Sequence, residues 1–363
     1  MRDDKNQKKG DPAPDVISPI TVFLPTHNRP AYLRRVLDYY RRYGYPFPLL
    51  ICDSSREKFS GLDATPQVRY LHYPDEDYLM KLRRALGTVE TRYTVIGADD
   101  DFVVPRAIRE CVSFLESHPG YSSVQGKYVS FAREQGIRFK PSYVDNYAMA
   151  VRSDSPADRL LEQFNPYMHQ FYAVHRTENL HDALSHTEGW RHNGILIELI
   201  VAMMAAINGK HEILPIFFSA KEEIVDSAGS TFAGILDVTS LPRYRGEYEY
   251  FLRMVADHLS KRGFMNEKEA LDRVAKAMDT YFHVFLPGYL GSPGLYRFKA
   301  SVKRSLPKTL RHFMLRSCRR IRDILRDSDA AFLSYFKQFD EESKRELEMI
   351  REVVGKHDVV ARG

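Results

Sequence analysis

The chain has 363 residues, of which 44% are hydrophobic and 28% are charged, a balance typical of a packed globular protein that excludes a disordered or fibrous chain. Its 53 Lys and Arg residues and 48 Asp and Glu residues leave a formal charge of only +5, which excludes a polyelectrolyte that coats nucleic acid. The three cysteines, Cys52, Cys111 and Cys318, are far apart and lack metal-ligand spacing, which favours a reducing compartment.

We expect no export signal in the N-terminal residues. Residues 1–16 are rich in charged and polar residues and have no apolar stretch, so we expect a disordered leader. The longest apolar run, residues 195–207, contains Glu198 and is too short to span a bilayer. We therefore expect a cytoplasmic protein without a transmembrane helix.

Short β-rich runs alternate with amphipathic helical patterns in the first part of the chain. Runs at 20–25, 48–53, 68–72 and 93–97 predict strands. Helices are predicted between Asn28, as a cap, and Gly44, and over 75–89 and 105–118. Strands that alternate with helices predict a largely parallel sheet, in which ligands bind beyond the carboxyl ends of the strands.

The pattern changes in the rest of the chain. Residues 121–131 predict a strand pair or a bent strand, residues 188–209 a loop that enters a buried helix, and residues 212–219 a further strand. From residue 244 strand signals nearly vanish, and patterns at 247–260, 266–285, 306–326 and 340–354 predict helices. We therefore place the end of the α/β part near residues 228–243, which contain glycines and a proline.

Three consecutive carboxylates, Asp99, Asp100 and Asp101, follow the fourth predicted strand, and we call them the acidic triplet. Adjacent carboxylates repel one another, and oxygen ligands of this kind select Mg²⁺ or Mn²⁺. The triplet therefore indicates a cation site at the strand end. The alternative is a solvated acidic loop that caps the next helix.

Polar residues also follow two earlier predicted strands. Asp53 ends the second strand, and Pro25-Thr26-His27-Asn28-Arg29 ends the first. These strand ends and the acidic triplet should line one crevice. There a carboxylate can accept a base N–H, backbone groups near Pro25 and Thr26 can bracket a nucleobase, and a metal can bridge a diphosphate. The alternative is that these are ordinary turn residues.

Together these motifs resemble the N-terminal signature of family 2-like inverting glycosyltransferases with the GT-A fold, over residues 18–225. The resemblance implies an α/β fold that is GT-A-like (Rossmann-like), with a mixed, largely parallel sheet flanked by helices and an α-helical C-terminal extension. After the leader at 1–16, it implies a nucleotide-sugar-binding catalytic domain at 17–235 and a helical C-terminal region at 236–363.

The resemblance also implies roles for the residues of the crevice. Pro25, Thr26 and Arg29 become part of the nucleotide pocket, and Asp53 becomes the carboxylate that faces the base. Asp100 and Asp101 meet the ribose, the diphosphate and the metal, and Asp101 is the direct ligand of Mn²⁺ or Mg²⁺.

Three further residues belong to this comparison with the family. The family commonly has an aspartate where this chain has Ala98, and Asp99 substitutes for it. Lys81 is expected to reach the nucleotide or diphosphate, the alternative being a solvated helix face. Lys221 stands where family members often place a basic residue near the diphosphate.

An inverting transfer also needs a base that deprotonates the acceptor hydroxyl. In the family this base is an acid at the start of a late helix, but the usual Glu-Asp pair is absent here. Glu198 is our first choice, because burial in an apolar helix would raise its pKa and demand a partner. The alternative role for Glu198 is a buried ion pair with Arg191 or a lysine. Glu188 and His192 are the other candidates for the base.

A basic segment at residues 303–326 has apolar residues at helical spacing and cations on the opposite face. This pattern predicts contact with an anionic membrane surface at the inner face of the membrane. The alternative is a helix that packs on the core and has an ordinary solvated basic face.

The sequence as a whole predicts a metal-dependent glycosyltransferase of cell-surface polysaccharide or glycolipid synthesis. Its partners would be a nucleotide-sugar donor, expected to be UDP-linked, and a glycan or lipid-linked acceptor. A nucleotidyltransferase is the enzymatic alternative, although it would be expected to have a glycine-rich phosphate loop after the first strand. The non-enzymatic alternative is a scaffold that binds glycans or membranes on a glycosyltransferase-like core.

Overall fold

The structure is a computed structural model that describes residues 18–133, 136–142, 150–187, 190, 194–224, 242–282, 336–337 and 339–357. Within these residues, nine strands form one mixed sheet with helices packed on both faces. The strands are β1 (Ile20–Thr26), β2 (Leu49–Asp53), β3 (Val68–His72), β4 (Tyr93–Ile96), β5 (Asp101–Val103), β6 (Tyr121–Ala132), β7 (Arg138–Ser142), β8 (Val174–Arg176) and β9 (Lys210–Glu222). The helices are α1 (Pro30–Arg42), α2 (Tyr78–Leu86), α3 (Pro105–Ser117), α4 (Pro156–Gln163), α5 (Thr177–Ser185), α6 (Gly194–Asn208), α7 (Arg245–Gly263), α8 (Glu267–Thr280) and α9 (Glu341–Lys356).

The sheet has the strand order β3-β2-β1-β4-β8-β6-β9-β5, and β7 pairs with β6. The first four strands in this order are parallel, and their register places Thr26 beside Asp53. Beyond β4 the sheet is mixed, because β8 is antiparallel to its neighbours while β6 and β9 run parallel. The predicted fold class, a GT-A-like α/β sheet flanked by helices, is confirmed.

Two apolar layers cover the two faces of the sheet. One layer contains α1, α3 and α9, and the other contains α2 and α4 to α8. The run at 20–24 is buried throughout, with Val22 and Phe23 facing opposite layers, which explains why it is apolar without alternation.

The described helices after residue 242 pack on this same sheet and its helices. Helix α7 packs on α4 and α6, and α8 packs on α4 and α7, whereas α9 packs on α1 and β9. Arg106 of α3 anchors the start of α9, since its guanidinium contacts Ser343 at 2.8 Å and Glu346 at 3.2 Å. The basic segment 303–326, the leader at 1–16 and most of the predicted break at 228–243 lie outside the described residues, so the predicted domain limits stay predictions.

Among the helices of the described ranges, none is long and apolar enough to cross a bilayer.

Candidate active site

The carboxyl ends of β1, β2 and β4 meet at one edge of the sheet, as the sequence predicted. Thr26 at the end of β1 donates its hydroxyl hydrogen to Asp99 Oδ2 at 2.6 Å. Arg29 donates to Asp99 Oδ1 and, at 2.8 Å, to Asp100 Oδ2. Asp53 lies beside Thr26 in the β1–β2 register. The structure therefore brings these predicted site residues together at one edge of the sheet.

The guanidinium of Arg29 is the nearest cation to two of these carboxylates. It lies 4.0 Å from the centre of the Tyr32 ring, which adds a cation–π contact. Burial lowers the pKa of Arg29, but the charges of Asp99 and Asp100 outweigh burial and raise it above its ordinary value. Arg29 thus compensates part of the negative charge at this edge.

The acidic triplet is buried, so the alternative of a solvated acidic loop is wrong. Asp99 is 2% exposed to solvent, Asp100 is 7% exposed and Asp101 is 9% exposed. Burial raises the pKa of Asp99 to about 7, against the charge of Arg29. Burial, followed by the charge of Asp100, raises the pKa of Asp101 to about 7. The triplet thus holds negative charge that nearby cations compensate only in part.

The carboxylate of Asp53 is held in one orientation by three donors. Its Oδ1 accepts hydrogen bonds from the Ser55 N–H at 2.8 Å and the Ser55 hydroxyl at 2.5 Å. Its Oδ2 accepts a hydrogen bond from the Tyr70 hydroxyl at 2.7 Å. Tyr70 in turn accepts a hydrogen bond from the N–H of Phe59. Sequence reasoning missed Tyr70, which lies in the middle of β3.

The turn after β1 differs from the sequence prediction at one residue. Asn28 was expected to cap α1, but it has a φ of 54°, and Arg29 occupies the N-cap position without a side-chain hydrogen bond. The N–H of Asn28 instead donates to the Ser55 hydroxyl at 2.7 Å. Asparagine tolerates this left-handed conformation better than most residues, and here it joins the ends of β1 and β2. Pro25, half-buried, lies opposite Cys52 in the same register.

Lys81 of α2 lies beneath the ends of β1 and β2 and is 1% exposed. Its ammonium group donates to the carbonyl of Thr26 at 2.5 Å and to the Ser54 hydroxyl at 2.9 Å. Burial lowers the pKa of Lys81. The alternative that Lys81 is on a solvated helix face is therefore wrong, and its contact with a nucleotide stays a prediction.

Lys221 lies between the acidic triplet and α6. In the pairing of β5 with β9 it stands opposite Asp101, and its ammonium is 3.6 Å from the centre of the Tyr172 ring. Burial lowers the pKa of Lys221, whereas the charges of Asp101 and Glu198 raise it. Lys221 therefore interacts electrostatically with both the acidic triplet and Glu198.

Glu198 is half-buried on α6, whose other described side chains are almost all buried. Burial raises the pKa of Glu198, and the charge of Lys221 opposes this shift. The charge of Lys221 thus acts on Glu198, which makes Lys221 the candidate lysine for the alternative role of Glu198. Glu188, His192 and Arg191 lie outside the described residues.

Arg35 is a further residue of the site that sequence reasoning missed. It is 0% exposed, its Nη2 donates to the Asp100 carbonyl at 3.1 Å, and it forms an ion pair with Glu222 at 2.5 Å. Its position was a detectable signal, because it is three residues after Tyr32 and four before Tyr39 on the buried face of α1.

The described residues include no group of three or more His, Cys, Asp and Glu side chains arranged to hold a metal ion. Asp101 nevertheless has the chemistry to bind a divalent cation, because it is a buried carboxylate oxygen ligand next to a second one, Asp100. Mg²⁺ is commonly bound by one or two carboxylates together with phosphate oxygens and water. A cation on Asp101 would therefore take its remaining ligands from a diphosphate and from water.

The fold of this chain, rather than its sequence, is similar to that of proteins of known structure. No protein-family model matches the chain, and no curated protein sequence matches it. The structure of Staphylococcus aureus TarS 1–349 in complex with UDP-GlcNAc is similar, with a TM-score of 0.50 and 12% identity, over 93% of this chain and 90% of that one. A second structure of TarS 1–349 has a TM-score of 0.46 and 10% identity, with the same coverage. The chain shares a fold with TarS. Membership of family 2 stays a prediction.

Proposed function

We propose that this protein is a glycosyltransferase that uses a nucleoside-diphosphate sugar as its donor. The observation that carries the proposal is the meeting of Thr26, Arg29, Asp53 and the acidic triplet at the carboxyl ends of three parallel strands. Ligands of open α/β sheets bind at this edge. The similar TarS structure holds UDP-GlcNAc, which supports a UDP-linked donor here.

In this proposal the base of the donor lies against β1 and β2. Asp53 accepts an N–H of the base, because Ser55 and Tyr70 fix its carboxylate and leave it further acceptor capacity. Pro25 and Thr26 form one wall of this nucleotide pocket. A base that presents a hydrogen-bond donor is therefore preferred to one that presents only acceptors.

The diphosphate lies near the acidic triplet and its cations. Arg29 and Lys221 face the negative charge that develops on the departing diphosphate, and Asp101, with Asp100 beside it, holds Mn²⁺ or Mg²⁺. When bound, the metal supplies Lewis-acid stabilisation of the leaving group. Asp99 keeps Arg29 in place and substitutes for the aspartate of the family where this chain has Ala98.

The transfer inverts the anomeric centre, and Glu198 accepts the proton of the acceptor hydroxyl. Its raised pKa suits a general base, because a carboxylate with an ordinary pKa is a weaker base near neutral pH. Glu188 and His192 remain the other candidates for this role. The acceptor is a glycan or a lipid-linked glycan on the cytoplasmic side of a membrane, which the basic segment 303–326 contacts.

The test is a panel of nucleotide sugars, with and without Mn²⁺, in which released nucleoside diphosphate and the anomeric configuration of the product are measured. We expect one nucleoside diphosphate to stabilise the protein by about 2.7 kcal/mol at 100 times its dissociation constant. Release of pyrophosphate from a nucleoside triphosphate and a sugar phosphate would favour a nucleotidyltransferase. Binding of nucleotide sugars without turnover over a range of glycan acceptors would favour the scaffold.

A further inference from the structure

Lys81 is a buried cation that makes no ion pair with any residue that the structure describes. Its ammonium group contacts two neutral oxygens, the Thr26 carbonyl at 2.5 Å and the Ser54 hydroxyl at 2.9 Å. The carboxylates of Asp99 and Asp53 act on it only at longer range. Within the described ranges no carboxylate lies close enough to Lys81 to form a salt bridge.

A buried ammonium group with only neutral partners contributes little to the stability of the fold. Removing an ammonium group from water is costly, and two neutral acceptors return only part of that cost. An apolar side chain of similar length would fill the same space without the cost. A lysine at this position therefore indicates a task other than stabilising the fold.

The contacts of Lys81 identify that task. The Thr26 carbonyl accepts from Lys81 and also from the N–H of Ser54 at 3.2 Å, so the lysine reinforces the junction between the ends of β1 and β2. On its other side Thr26 donates to Asp99, which holds Arg29. Lys81 thus lies at the start of a hydrogen-bonded path that ends at the acidic triplet.

We propose that Lys81 is a positioning residue for the donor site, which fixes the ends of β1 and β2 relative to each other so that Thr26, Asp53 and Asp99 face the same ligand. The proposal rests on the proposed function. It differs from a direct contact with phosphate, because a residue that sets both walls of the pocket affects the base and the diphosphate alike.

The experiment compares Lys81→Met with the wild type in three measurements. These are the melting temperature, the affinity for UDP by calorimetry, and the affinity for uridine by competition with UDP. Methionine fills the space of the lysine stem without its charge. We expect an unchanged or higher melting temperature and a loss of about tenfold in affinity for both ligands, which corresponds to a lost hydrogen bond.

Two further variants control the experiment. Lys261→Met removes the same charge at an exposed position of α7, where Lys261 pairs with Asp257, and should change none of the three measurements. Ser54→Ala removes one acceptor of Lys81 and should weaken binding of both ligands. The Ser54 hydroxyl also contacts His27 Nδ1 at 3.0 Å, but both changes remove the contact between Lys81 and Ser54, so the loss of affinity in the double variant should be smaller than the sum of the two single losses. If Lys81→Met does not fold, the affinity of Ser54→Ala for UDP and uridine tests the proposal instead. Unchanged affinity in that variant overturns the proposal.

Three results for Lys81→Met overturn the proposal. Unchanged affinity for both ligands is the first. A loss confined to UDP is the second, because it would mean a direct contact with phosphate. A lower melting temperature with unchanged affinity is the third, because it would mean a purely structural role. A wild-type protein that binds none of the common nucleoside diphosphates overturns the proposed function itself, and this inference with it.

Discussion

Arg35 of α1 and Glu222 of β9 form a buried ion pair, with 2.5 Å between Nη2 and Oε2 and side chains that are 0% and 6% exposed. The same Nη2 donates to the Asp100 carbonyl, and the N–H of Glu222 donates to Asp101 Oδ1 at 3.2 Å. The pair therefore joins the first helix and the last described strand to the acidic triplet. Its loss should affect the whole edge of the sheet.

Arg35→Met should lower the free energy of unfolding by about 3–5 kcal/mol, because it leaves the Glu222 carboxylate buried without its partner. Arg35→Met combined with Glu222→Met removes both charges and should recover much of this loss. Urea denaturation measures both effects. The exposed pair Lys261–Asp257 is the control, since Lys261→Met should change stability by less than about 1 kcal/mol. Wild-type stability in Arg35→Met would mean that the pair does not form.

Asp101→Asn should abolish the strengthening of nucleotide binding by Mn²⁺ while the fold remains intact. Asparagine keeps an oxygen for the N–H of Glu222 but removes the charge that a cation needs. Stability should be unchanged or higher, because repulsion from Asp100 is relieved. Calorimetric titrations with and without Mn²⁺ measure the effect, with the exposed Asp272→Asn as control. A full Mn²⁺ effect in Asp101→Asn would remove Asp101 from the ligands.

Glu198→Gln should lower turnover by about 10²–10⁴-fold and leave donor affinity unchanged, because glutamine cannot accept the proton of the acceptor hydroxyl. If Glu198 serves only as the partner of Lys221, the same change would lower stability and leave specific activity near normal. Turnover, nucleotide affinity and melting temperature distinguish the two roles, and Glu178→Gln on the exposed face of α5 is the control. Normal turnover with normal stability would exclude both roles and direct the search to Glu188 and His192.

Two buried histidines should make stability depend on pH. Burial lowers the pKa of His175 to about 4 and that of His211 to about 3, below the value of about 6.5 in an unfolded chain. Both are therefore neutral in the folded protein. Their contribution to the free energy of unfolding is complete above pH 6.5 and is lost as the pH falls towards 4. Each adds about 1.4 kcal/mol per pH unit to the slope between these values.

His211→Gln should remove one such contribution, so its unfolding free energy should fall less steeply than that of the wild type between pH 6.5 and 4. Denaturation with urea at several pH values measures the difference in slope. The control is His118→Gln at an exposed position. Equal slopes for His211→Gln and the wild type would show that His211 is protonated in the folded protein.

The sequence predicted the parallel half of the sheet well, because three of its four strands, β1, β2 and β4, are buried apolar runs followed by polar residues. It also predicted which strand ends meet, because the carboxyl ends of parallel strands lie at the same edge of the sheet. The short strands β5 and β8 were missed, because strands of three residues carry no periodic pattern and form only when a neighbouring strand pairs with them.

At residues 121–131, tertiary contacts decide between the two predicted alternatives, a strand pair and one bent strand. They form one bent strand, β6, and its antiparallel partner β7 begins only at Arg138. The pairing of β6 with β9 shifts its register around Gly126, where a Cβ atom would lie 2.6 Å from the Ile216 carbonyl oxygen. The glycine permits this close approach of two strands, which the sequence of β6 alone does not specify.

The contacts of Arg35 and Tyr70 could not be predicted for a related reason. Each joins segments that are distant in sequence, and the partner is chosen by packing rather than by any local pattern. The cost of a buried charge nevertheless shows that such a partner must exist.

The most direct test of the account is hydrogen exchange of the protein with and without UDP-GlcNAc, because it locates the bound nucleotide along the chain. We predict slower amide exchange at residues 26–29, 53–55 and 99–101, where the ends of β1, β2 and β4 meet, and no change in α7 and α8. Asp53→Asn should reduce this protection at a given nucleotide concentration. Protection confined to other segments, or none with any saturating nucleotide sugar, would contradict the account.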